Sequence, residues 1–451
     1  MQITIPEKVR NIINKLQDEG YEAYAVGGCV RDCCLGLVPN DWDITTNALP
    51  EQVRSLFRRT VDIGIKHGTV KVMIGNEGFE ITTYRIDGAY EDGRHPNSVT
   101  FTGELKEDLR RRDFTINAMA YSEKDGLIDL FGGVDDLKAG VIRAVGDPEE
   151  RFTEDALRML RALRFSARFG YEIEESTKEA IHSLAPNLSA ISAERIREET
   201  EKLICSDNPD RMRWAYELGI TRVYFPEWDK MMECEQNTPH HFTNVGDHTI
   251  CAMNYLVKNY RDIAPDENRV LRLATLLHDM AKPVAKTTGP DGVDHFKGHP
   301  DAGEEMAEAF LRRLKYDNDT IGRVRKLVRY HDDRPALTYP SVRRFIGAVG
   351  TDNMDALMKL KYADLYAHSD YMFEEKLYEV EKLGQMYETI IRDKDCLCVK
   401  DLAVSGYDLI EHGVKAGPEL GMELSRLLEK VLDDPSMNEK TRLLELLHGQ
   451  A

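Results

Sequence analysis

The sequence lacks a long hydrophobic run. Its longest apolar stretches, such as the one at residues 271–277, are far shorter than the ~20 residues that a membrane-spanning helix needs. Residues 1–20 contain acidic side chains and no apolar core, which predicts that no signal peptide is present. With 42% hydrophobic and 31% charged residues, the composition excludes a disordered chain and a membrane protein, so we expect a cytoplasmic protein.

Cysteines are few and are not arranged in pairs. Among the eight cysteines, the closest in sequence are the neighbours Cys33 and Cys34, and Cys396 with Cys398. None forms a C-x-x-C pair, the spacing typical of structural zinc sites, so the sequence does not predict structural zinc. We expect reduced thiols, as in cytosolic proteins generally.

Basic residues are outnumbered by acidic ones. The 60 Lys and Arg against 79 Asp and Glu give a net charge of −19. An excess of this size argues against non-specific coating of nucleic acid, although a basic groove on an acidic protein remains compatible with it. The length of 451 residues predicts about three domains at the usual ~150 residues per domain.

The pattern of the sequence changes near residue 137. Before it, helical and strand-like segments alternate, and FEITTYRI at residues 79–86 has the alternation of a half-buried strand. Residues 86–99 contain three acids and almost nothing apolar, which predicts a long functional loop. After residue 137 the periodicity is helical. We therefore predict an α+β head, with a small mixed sheet and helices, followed by an all-α remainder.

A double glycine and two aspartates form the first chemical motif, in the order Gly27-Gly28-x-x-Arg31 and then Asp41-x-Asp43. Because alternate residues of a strand point to the same side, the two aspartates would present their carboxylates on one face. Two such carboxylates can hold two Mg²⁺ ions ~3.5–4 Å apart for attack on a phosphorus atom. The glycines leave backbone N–H groups free to approach a triphosphate, which Arg31 can neutralise.

Five segments together resemble the head and neck motifs of one known family, the bacterial-type (class II) tRNA nucleotidyltransferases and poly(A) polymerases. They are GGCVRDCCLG at 27–36, DWDI at 41–44, RRDFTINAMAY at 111–121, RFTEDALRMLRALRF at 151–165 and RIREETEKL at 195–203. The resemblance extends from residue 24 to about residue 203. It implies a polymerase-β-like nucleotidyltransferase fold and transfer of nucleotides to an RNA 3′ end without a nucleic-acid template.

The resemblance also implies roles for residues of the head. It assigns Gly28 and Arg31 to the triphosphate, and Asp41 and Asp43 to catalysis as ligands of Mg²⁺. 

Two further head residues carry alternatives. The resemblance implies that Arg112 binds nucleotide, whereas a salt bridge to Asp113 would make it structural. Glu80, on the strand FEITTYR, is a candidate third carboxylate acting as base or metal ligand, whereas a solvated strand face is the alternative.

The neck segment at residues 154–169 predicts a nucleotide-selecting surface. On a helical wheel, one aspartate and four arginines share the face opposite the apolar residues: Asp155, Arg158, Arg161, Arg164 and Arg168. Arginines without lysines suit planar, bidentate recognition, although a solvated basic face is the alternative. Asp155 can accept from the amino group of cytosine or adenine while Arg158 donates to the ring, and guanine and uracil present the wrong pattern. In the resembled family this motif is the template, and Arg161 and Arg164 bind nucleotide.

A second cluster of chemistry-bearing residues lies between positions 240 and 370. Its members are His248, His278, Asp279, His299, His331 and Asp364. The order resembles that of the HD-domain metal phosphohydrolases, which are fused to some tRNA nucleotidyltransferases. The resemblance implies that His248, His278, Asp279 and Asp364 bind a divalent transition metal that generates hydroxide, while His299 and His331 add a second metal or contact phosphate. Asp370 is an alternative to Asp364.

The C-terminal stretch at residues 401–434 resembles the tRNA-contacting tail of these enzymes, and an ordinary helical hairpin with glycine caps is the alternative. We accordingly predict five domains: a nucleotidyltransferase head at 1–136, a helical neck at 137–205, a connector at 206–245, an HD domain at 246–370 and a tRNA-binding tail at 371–451.

The sequence therefore predicts a CCA-adding tRNA nucleotidyltransferase that uses CTP, ATP and Mg²⁺, with a secondary phosphohydrolase activity. Within the resembled family, the segment IGIKHGTVKV at 63–72 is typical of CCA-adding enzymes rather than poly(A) polymerases, and the acidic loop at 86–99 is missing from enzymes that add only CC. An A-adding specialist and a poly(A) polymerase remain alternatives. A protein of a different class, an HD phosphohydrolase whose head only binds RNA, is disfavoured by the intact pair Asp41 and Asp43. The sequence leaves the oligomeric state open.

Overall fold

The structure is a computed structural model that describes residues 3–64, 67–88 and 99–448, without the side chains of residues 87 and 448. Most of the predicted acidic loop, residues 89–98, lies outside the described residues. The chain divides into unit 1, Met1–Asp229, and unit 2, Lys230–Ala451. The five predicted domains are finer than this division, and their boundaries stay a prediction. Within the described residues no disulfide is present, and no helix is long and apolar enough to cross a membrane.

Unit 1 contains the predicted mixed sheet. Its strands in the described residues are β1 (Ala23–Val26), β2 (Asp43–Thr46), β3 (Thr60–Gly64), β4 (Thr69–Ile74), β5 (Glu77–Thr83), β6 (Arg85–Asp87), β7 (Val99–Phe101), β8 (Met119–Ser122), β9 (Gly126–Asp129), β10 (Val141–Ile142) and β11 (Glu172–Ile173). Seven of them form one sheet in the order β3-β4-β5-β2-β1-β8-β9, and β2 with β5 is its parallel pair. Strand β1, AYAV, is buried along its whole length between β2 and β8, as its apolar composition requires.

Strand β5 has the alternation that the sequence predicts. Phe79, Ile81 and Thr83 are buried, while Glu80 and Thr82 face the other side. Because the side-chain period of a strand is two, this burial fixes the register and keeps Glu80 on the open face.

Helices make up the rest of unit 1. They are α1 (Glu7–Asp18), α2 (Gly28–Cys34), α3 (Pro50–Leu56), α4 (Leu105–Arg110), α5 (Gly133–Ala139), α6 (Pro148–Glu154), α7 (Leu157–Phe169), α8 (Glu175–Leu184), α9 (Ala193–Ile204), α10 (Met212–Glu217), α11 (Thr221–Tyr224) and α12 (Pro226–Met232), which ends in unit 2. The wheel at residues 154–169 treated one continuous helix, and this expectation is wrong. The chain breaks at Asp155, whose Oδ1 accepts from the backbone N–H of Leu157 and thereby starts α7 as a separate helix.

Unit 2 is helical, as predicted. Its helices are α13 (Val245–Asn259), α14 (Pro265–Leu277), α15 (Lys282–Ala285), α16 (His299–Arg313), α17 (Asn318–Tyr330), α18 (Tyr339–Val349), α19 (Thr351–Tyr366), α20 (Phe373–Asp393), α21 (Gly406–Glu411), α22 (Pro418–Asp433) and α23 (Lys440–His448). The two-residue strands β12 (Thr287–Thr288) and β13 (Asp294–His295) pair in one connection. The C-terminal helices have their own apolar core, which includes Leu409, Leu427 and Val431.

A close backbone contact in the head requires glycine at position 133. Gly133 begins α5, and a Cβ atom there would collide with the carbonyl oxygen of Thr115. Thr115 opens the 3-10 turn that also contains Asn117, whose side chain donates to Asp113 at 3.0 Å. The glycine therefore sets the position of a turn that leads into the candidate site.

We expect Gly133→Ala to lower the free energy of unfolding by ~1–3 kcal/mol, because either the turn or α5 must shift. Gly103→Ala is the matched control in the same unit, since a Cβ there meets nothing within 4 Å, and its effect should stay within ~0.5 kcal/mol. Urea denaturation followed by circular dichroism measures both. Equal stability of the two variants would contradict the proposed contact.

Candidate functional site

Three carboxylates lie at one edge of the sheet in the head. Asp43 is the first residue of β2 and is paired in parallel register with Glu80 of β5, while Asp41 precedes the strand by two residues. Asp41 and Asp43 are exposed, and within the described part of the chain their carboxylates have no hydrogen-bond or ion-pair partner. Glu80 is 3.3 Å from Lys71. The structure thus brings the predicted pair and the candidate third carboxylate together.

Electrostatic repulsion at this edge favours a bound cation. Although the Asp43 side chain reaches solvent, desolvation by the surrounding protein raises its pKa, and the negative charges of Glu80 and Asp41 raise it further, while Arg112 acts in the opposite direction. Carboxylate oxygens are the ligands that Mg²⁺ prefers. The donor set therefore fits the predicted Mg²⁺, which would relieve the repulsion between like charges.

Arg112 lies against the double glycine. Gly27 has φ +82°, and a Cβ there would be 2.9 Å from Nη1 of Arg112, so only glycine leaves room for this guanidinium. Arg112 is 3.5 Å from the fully buried carboxylate of Asp108, which also pairs with Arg111 at 2.7 Å. Burial opposes ionisation of Asp108, but the two arginines lower its pKa overall.

Two expectations for Arg112 and its surroundings have different outcomes. The alternative that Arg112 pairs with Asp113 is wrong, because its ion-pair partner is Asp108 and Asp113 pairs with Arg161. The guanidinium lies against Gly27 and acts on the carboxylate of Asp43, where the sequence predicts nucleotide binding, and that role stays a prediction.

Arg31 lies beside Gly28 but is engaged by other groups of the protein. Its side chain is buried, donates to Asp32 and Asn117, and has its Cζ 5.2 and 5.1 Å from the ring centroids of Phe165 and Phe169. It therefore joins α2 of the head to α7 of the neck. Contact of Arg31 with a triphosphate stays a prediction and would require these bonds to break.

The predicted template residues already have partners within the protein. Asp155 accepts from Nη2 of Arg195 at 2.8 Å. Arg158 is buried and donates to Glu154 at 2.7 Å and to the backbone oxygen of Arg111 at 2.9 Å. Recognition of a base by Asp155 and Arg158 would therefore require an exchange of partners.

The other arginines of α7 are also paired, through acids that come from other segments. The pairs are Arg161 with Asp113 at 2.6 Å, Arg164 with Glu199 at 2.7 Å and Arg168 with Asp32 at 3.2 Å. Burial alone would raise the pKa of Asp113, but Arg161 and the amide of Asn117 lower it well below its usual range. The arginine face is thus an array of ion pairs rather than a free basic surface.

The predicted histidine–aspartate cluster is assembled in unit 2. His248 lies on α13, His278 and Asp279 directly follow α14, and Asp364 lies near the end of α19. One ligand atom from each of these four residues lies within 4.8 Å of the others. Nε2 of His248 is 2.8 Å from the Asp364 carboxylate, so the structure brings Asp364, rather than Asp370, to the cluster. His278 directly follows Leu277, the last residue of α14.

A second set shares Asp279 with the first. Nε2 of His299 and Nε2 of His331 lie 3.3 and 3.5 Å from Oδ1 of Asp279, and 3.2 Å from each other. All three residues are buried. The structure therefore offers two adjacent groups of ligands, in agreement with the residue set that the sequence predicts.

The imidazole rings are oriented by the backbone. Each of the four histidines holds its Nδ1 against a carbonyl oxygen: His248 against Ala367 at 3.1 Å, His278 against Thr275 at 2.7 Å, His299 against Phe296 at 2.9 Å and His331 against Val328 at 2.6 Å. A carbonyl accepts only from N–H, so Nδ1 carries the proton. Nε2 is then left to bind a metal, as is usual for metal-binding histidines.

Buried atoms in this cluster lack hydrogen bonds. Nε2 of His278 and both oxygens of Asp279 are buried and make no hydrogen bond in the structure, although they lie at ion-pair distance: Asp279 is 3.2 Å from Nε2 of His278 and 2.7 Å from Nζ of Lys282. Burial opposes the charged form of His278, but Asp279 and Asp364 raise its pKa to about 10, so a proton occupies the centre when no cation does. Imidazole and carboxylate ligands together fit a divalent transition metal. 

Three further residues at this cluster are missing from the sequence-based set. Nitrogens of His241 and His368 lie within 4.8 Å of each other and of His248, and Nζ of Lys282 is 2.7 Å from Asp279. The spacing in the sequence could have indicated two of them, because His368 follows Asp364, and Lys282 follows Asp279, by about one helical turn. His241 precedes α13 in an irregular segment, so no periodicity indicates it.

Comparison with known proteins bears on both units. Residues 23–143 match the family model of the poly A polymerase head domain, and residues 300–447 match tRNA nucleotidyltransferase domain 2. The CCA-adding enzyme of Pediococcus pentosaceus is 33% identical over 98% of this chain and 97% of its own length. The chain belongs to the family of CCA-adding enzymes.

Other relatives support the same assignment over different lengths. The CCA-adding enzyme of Leuconostoc mesenteroides is 58% identical over 43% of this chain and 48% of that protein, so the chain matches about half of its length. The structure of the Bacillus stearothermophilus CCA-adding enzyme in complex with CTP has a TM-score of 0.73 and 29% identity, and the match covers 99% of this chain and 98% of that one. None of these names describes a phosphohydrolase, so the HD assignment is supported by the geometry of unit 2 alone.

Proposed function

We propose that the protein adds C, C and A to the 3′ end of tRNA, using CTP and ATP and releasing diphosphate. The observation that carries the proposal is the set of Asp41, Asp43 and Glu80 at one sheet edge, beside Arg112, in a chain whose full-length relative is a CCA-adding enzyme. The eight cysteines form no disulfide in the described residues, which supports action in the cytoplasm.

The residues of the head support nucleotidyl transfer. Asp41 and Asp43 would hold Mg²⁺, which supplies charge neutralisation for in-line attack of a ribose 3′-hydroxyl on the α-phosphorus. Arg112, held by Asp108, places a fixed positive charge where a triphosphate would lie, and the Gly27–Gly28 backbone can approach the phosphates. Glu80 is placed to act as the third carboxylate, as base or metal ligand.

The neck supports selection of the base. Asp155 would leave Arg195 to accept from the amino group that cytosine and adenine share, and Arg158 would donate to the ring. Uracil and guanine carry a carbonyl oxygen where cytosine and adenine carry that amino group, so the half-buried carboxylate would face an acceptor, a loss of ~1–3 kcal/mol that disfavours them. The test of the whole proposal is to incubate the protein with tRNA lacking its tail and each labelled nucleotide, and to sequence the products. Addition of A alone would favour the A-adding alternative, and a long A tract the poly(A) alternative.

We expect Asp41→Ala and Asp43→Ala each to reduce nucleotide addition by ~10³-fold or more, because a ligand of the catalytic cation is lost. tRNA binding should remain nearly unchanged, since phosphate contacts elsewhere supply the affinity. Asp135→Ala is the control, because this exposed aspartate of α5 pairs only with Lys138 in the described residues. Wild-type turnover by the Asp43→Ala variant would show that the assignment is wrong.

We expect Asp155→Ala to lose discrimination against UTP and GTP together with much of its rate. Because Asp155 also starts α7, Asp155→Asn is tested in parallel, since its amide oxygen can keep the bond to Leu157. Glu150→Ala, on the exposed side of α6, is the control. Strict C-then-A addition by Asp155→Ala would place base selection elsewhere.

A second function is favoured by a separate observation, the convergence of four Nδ1-anchored histidines and two aspartates in unit 2. We propose that this centre binds a divalent transition metal and hydrolyses phosphoesters, with water activated at the metal. This hydrolase activity is secondary to nucleotide addition. The alternative class, a phosphohydrolase whose head only binds RNA, predicts hydrolysis without any nucleotide addition.

We expect the wild-type chain, but not the double variant His278→Ala–Asp279→Ala, to retain Mn²⁺ or Ni²⁺ after dialysis and to hydrolyse small phosphoesters such as 2′,3′-cyclic nucleotides. CCA addition should persist in the double variant. Inductively coupled plasma mass spectrometry measures the metal, and hydrolysis is assayed with Mg²⁺, Mn²⁺ and Ni²⁺ in turn. His295→Ala, outside the cluster and exposed, is the control. Equal metal content in double variant and wild type would contradict the site.

A further inference from the structure

A cavity adjoins the histidine–aspartate centre. It has a volume of about 280 Å³, and three residues of the centre line it: His331, Asp364 and His368. The volume lies just below the ~300–1,000 Å³ usual for small-molecule pockets, so the cavity suits a ligand no larger than one nucleotide. Anything bound there would lie directly beside the proposed metal.

Two buried lysines line the same cavity. Lys361 of α19 and Lys376 of α20 are both more than nine-tenths buried. Nζ of Lys361 donates to the carbonyl oxygens of His331 and Asp333 at 2.7 Å each, and Nζ of Lys376 is 2.9 Å from Nδ1 of His240. Within the described ranges neither ammonium group has a carboxylate at ion-pair distance. Burial disfavours the charged form of each lysine, and an anion bound in the cavity would offset that cost.

The acidic groups around the cavity are already engaged. Arg334 lies 4.0 Å from Asp332 and 3.6 Å from Glu379, both half-exposed, and Asp333 pairs with Arg329 at 3.3 Å. Asp364 belongs to the histidine cluster. Of the lysines and arginines that line the cavity, Lys361 and Lys376 are therefore the two without a carboxylate at ion-pair distance in the described residues.

The rest of the lining is apolar. It consists of Pro335, Ala336, Leu337, Leu365, Val380 and Leu383. A cavity with cationic groups on one side and aliphatic side chains on the other suits a small molecule that carries phosphate on an apolar or aromatic group.

We infer that this cavity is the substrate site of the histidine–aspartate centre, that Lys361 and Lys376 bind the phosphate, and that the substrate is a small phosphate monoester. The inference rests on the proposed phosphohydrolase function and narrows its substrate from phosphoesters in general, which include the cyclic diesters, to monoesters. A monoester carries a charge of about −1.5 to −2 at pH 7, whereas a diester carries only −1, so two lysines favour the monoester.

The reaction is a hydrolysis that needs only water as co-reactant. The water oxygen bonds to phosphorus, the ester P–O bond breaks, and its electron pair stays with the leaving oxygen. A proton from the water ends on that oxygen, so the products are an alcohol and inorganic phosphate. Inorganic phosphate, the product, should therefore bind at the same two lysines.

The test uses the full-length chain with Mn²⁺ and three probes: inorganic phosphate, p-nitrophenyl phosphate and bis(p-nitrophenyl) phosphate. Isothermal titration calorimetry measures phosphate binding, and released nitrophenol measures hydrolysis. Lys361→Met and Lys376→Met should each weaken phosphate binding and raise KM for the monoester by ~10-fold or more, the usual effect of losing a charge-assisted bond. KM for the diester should change much less.

Two control variants show whether the effect is specific to the lysines that line the cavity. Lys359→Met on α19 and Lys382→Met on α20 remove lysines that do not line the cavity and should match wild type. If Lys361→Met does not fold, because it loses two carbonyl contacts, Lys376→Met carries the test.

The outcomes distinguish the two proposals. Lysine-dependent phosphate binding without hydrolysis under any metal would support the phosphate site and overturn the phosphohydrolase function. Hydrolysis with unchanged phosphate binding in both lysine variants, absence of phosphate binding by wild type, or a preference of wild type for the diester would each overturn the inference.

Discussion

Ionisable groups held close together by the backbone are the constraint on which both candidate sites depend. In the head, the parallel register of β2 and β5 fixes Asp43 beside Glu80, and neither strand can slip without moving its buried face to solvent. In unit 2, four imidazoles and two carboxylates form two adjacent groups that share Asp279. A cation would relieve the repulsion between the carboxylates in the head, whereas in unit 2 Lys282 and His278 already stabilise the charged form of Asp279.

The two sites differ in the atoms they offer, and this separates their chemistry. The head presents only carboxylate oxygens at an exposed edge, which suits a cation that keeps much of its water. The centre in unit 2 is buried and combines imidazole nitrogens with carboxylates, which suits a transition metal. One chain can therefore carry both sites with little competition between their metals, provided that each cation is present.

Sequence patterns predicted the sheet, the helical remainder and most residues of both sites. Those predictions rest on local periodicity and on ordered motifs, as for the alternation that puts Glu80 on the open face of β5. The failures are non-local. The arginines of α7 are paired with Asp32, Asp113 and Glu199, and no wheel of residues 154–169 contains these acids. The helical wheel did not predict the break at Asp155, because the break depends on a single hydrogen bond from the backbone N–H of Leu157 to the Asp155 side chain.

The existing pairs of Asp155 and Arg158 bear on selectivity if these residues select the base. Asp155 is paired with Arg195 and Arg158 with Glu154, so a bound nucleotide would gain only the difference between its bonds and theirs. A correct base would return a donor to Asp155 and an acceptor to Arg158, and the exchange would cost little. A wrong base would leave the buried guanidinium and the half-buried carboxylate unpaired once they gave up their partners. Breaking the existing pairs costs the same for every nucleotide and therefore lowers all affinities alike. Discrimination would come from the difference between the bonds that a right and a wrong base can form in their place.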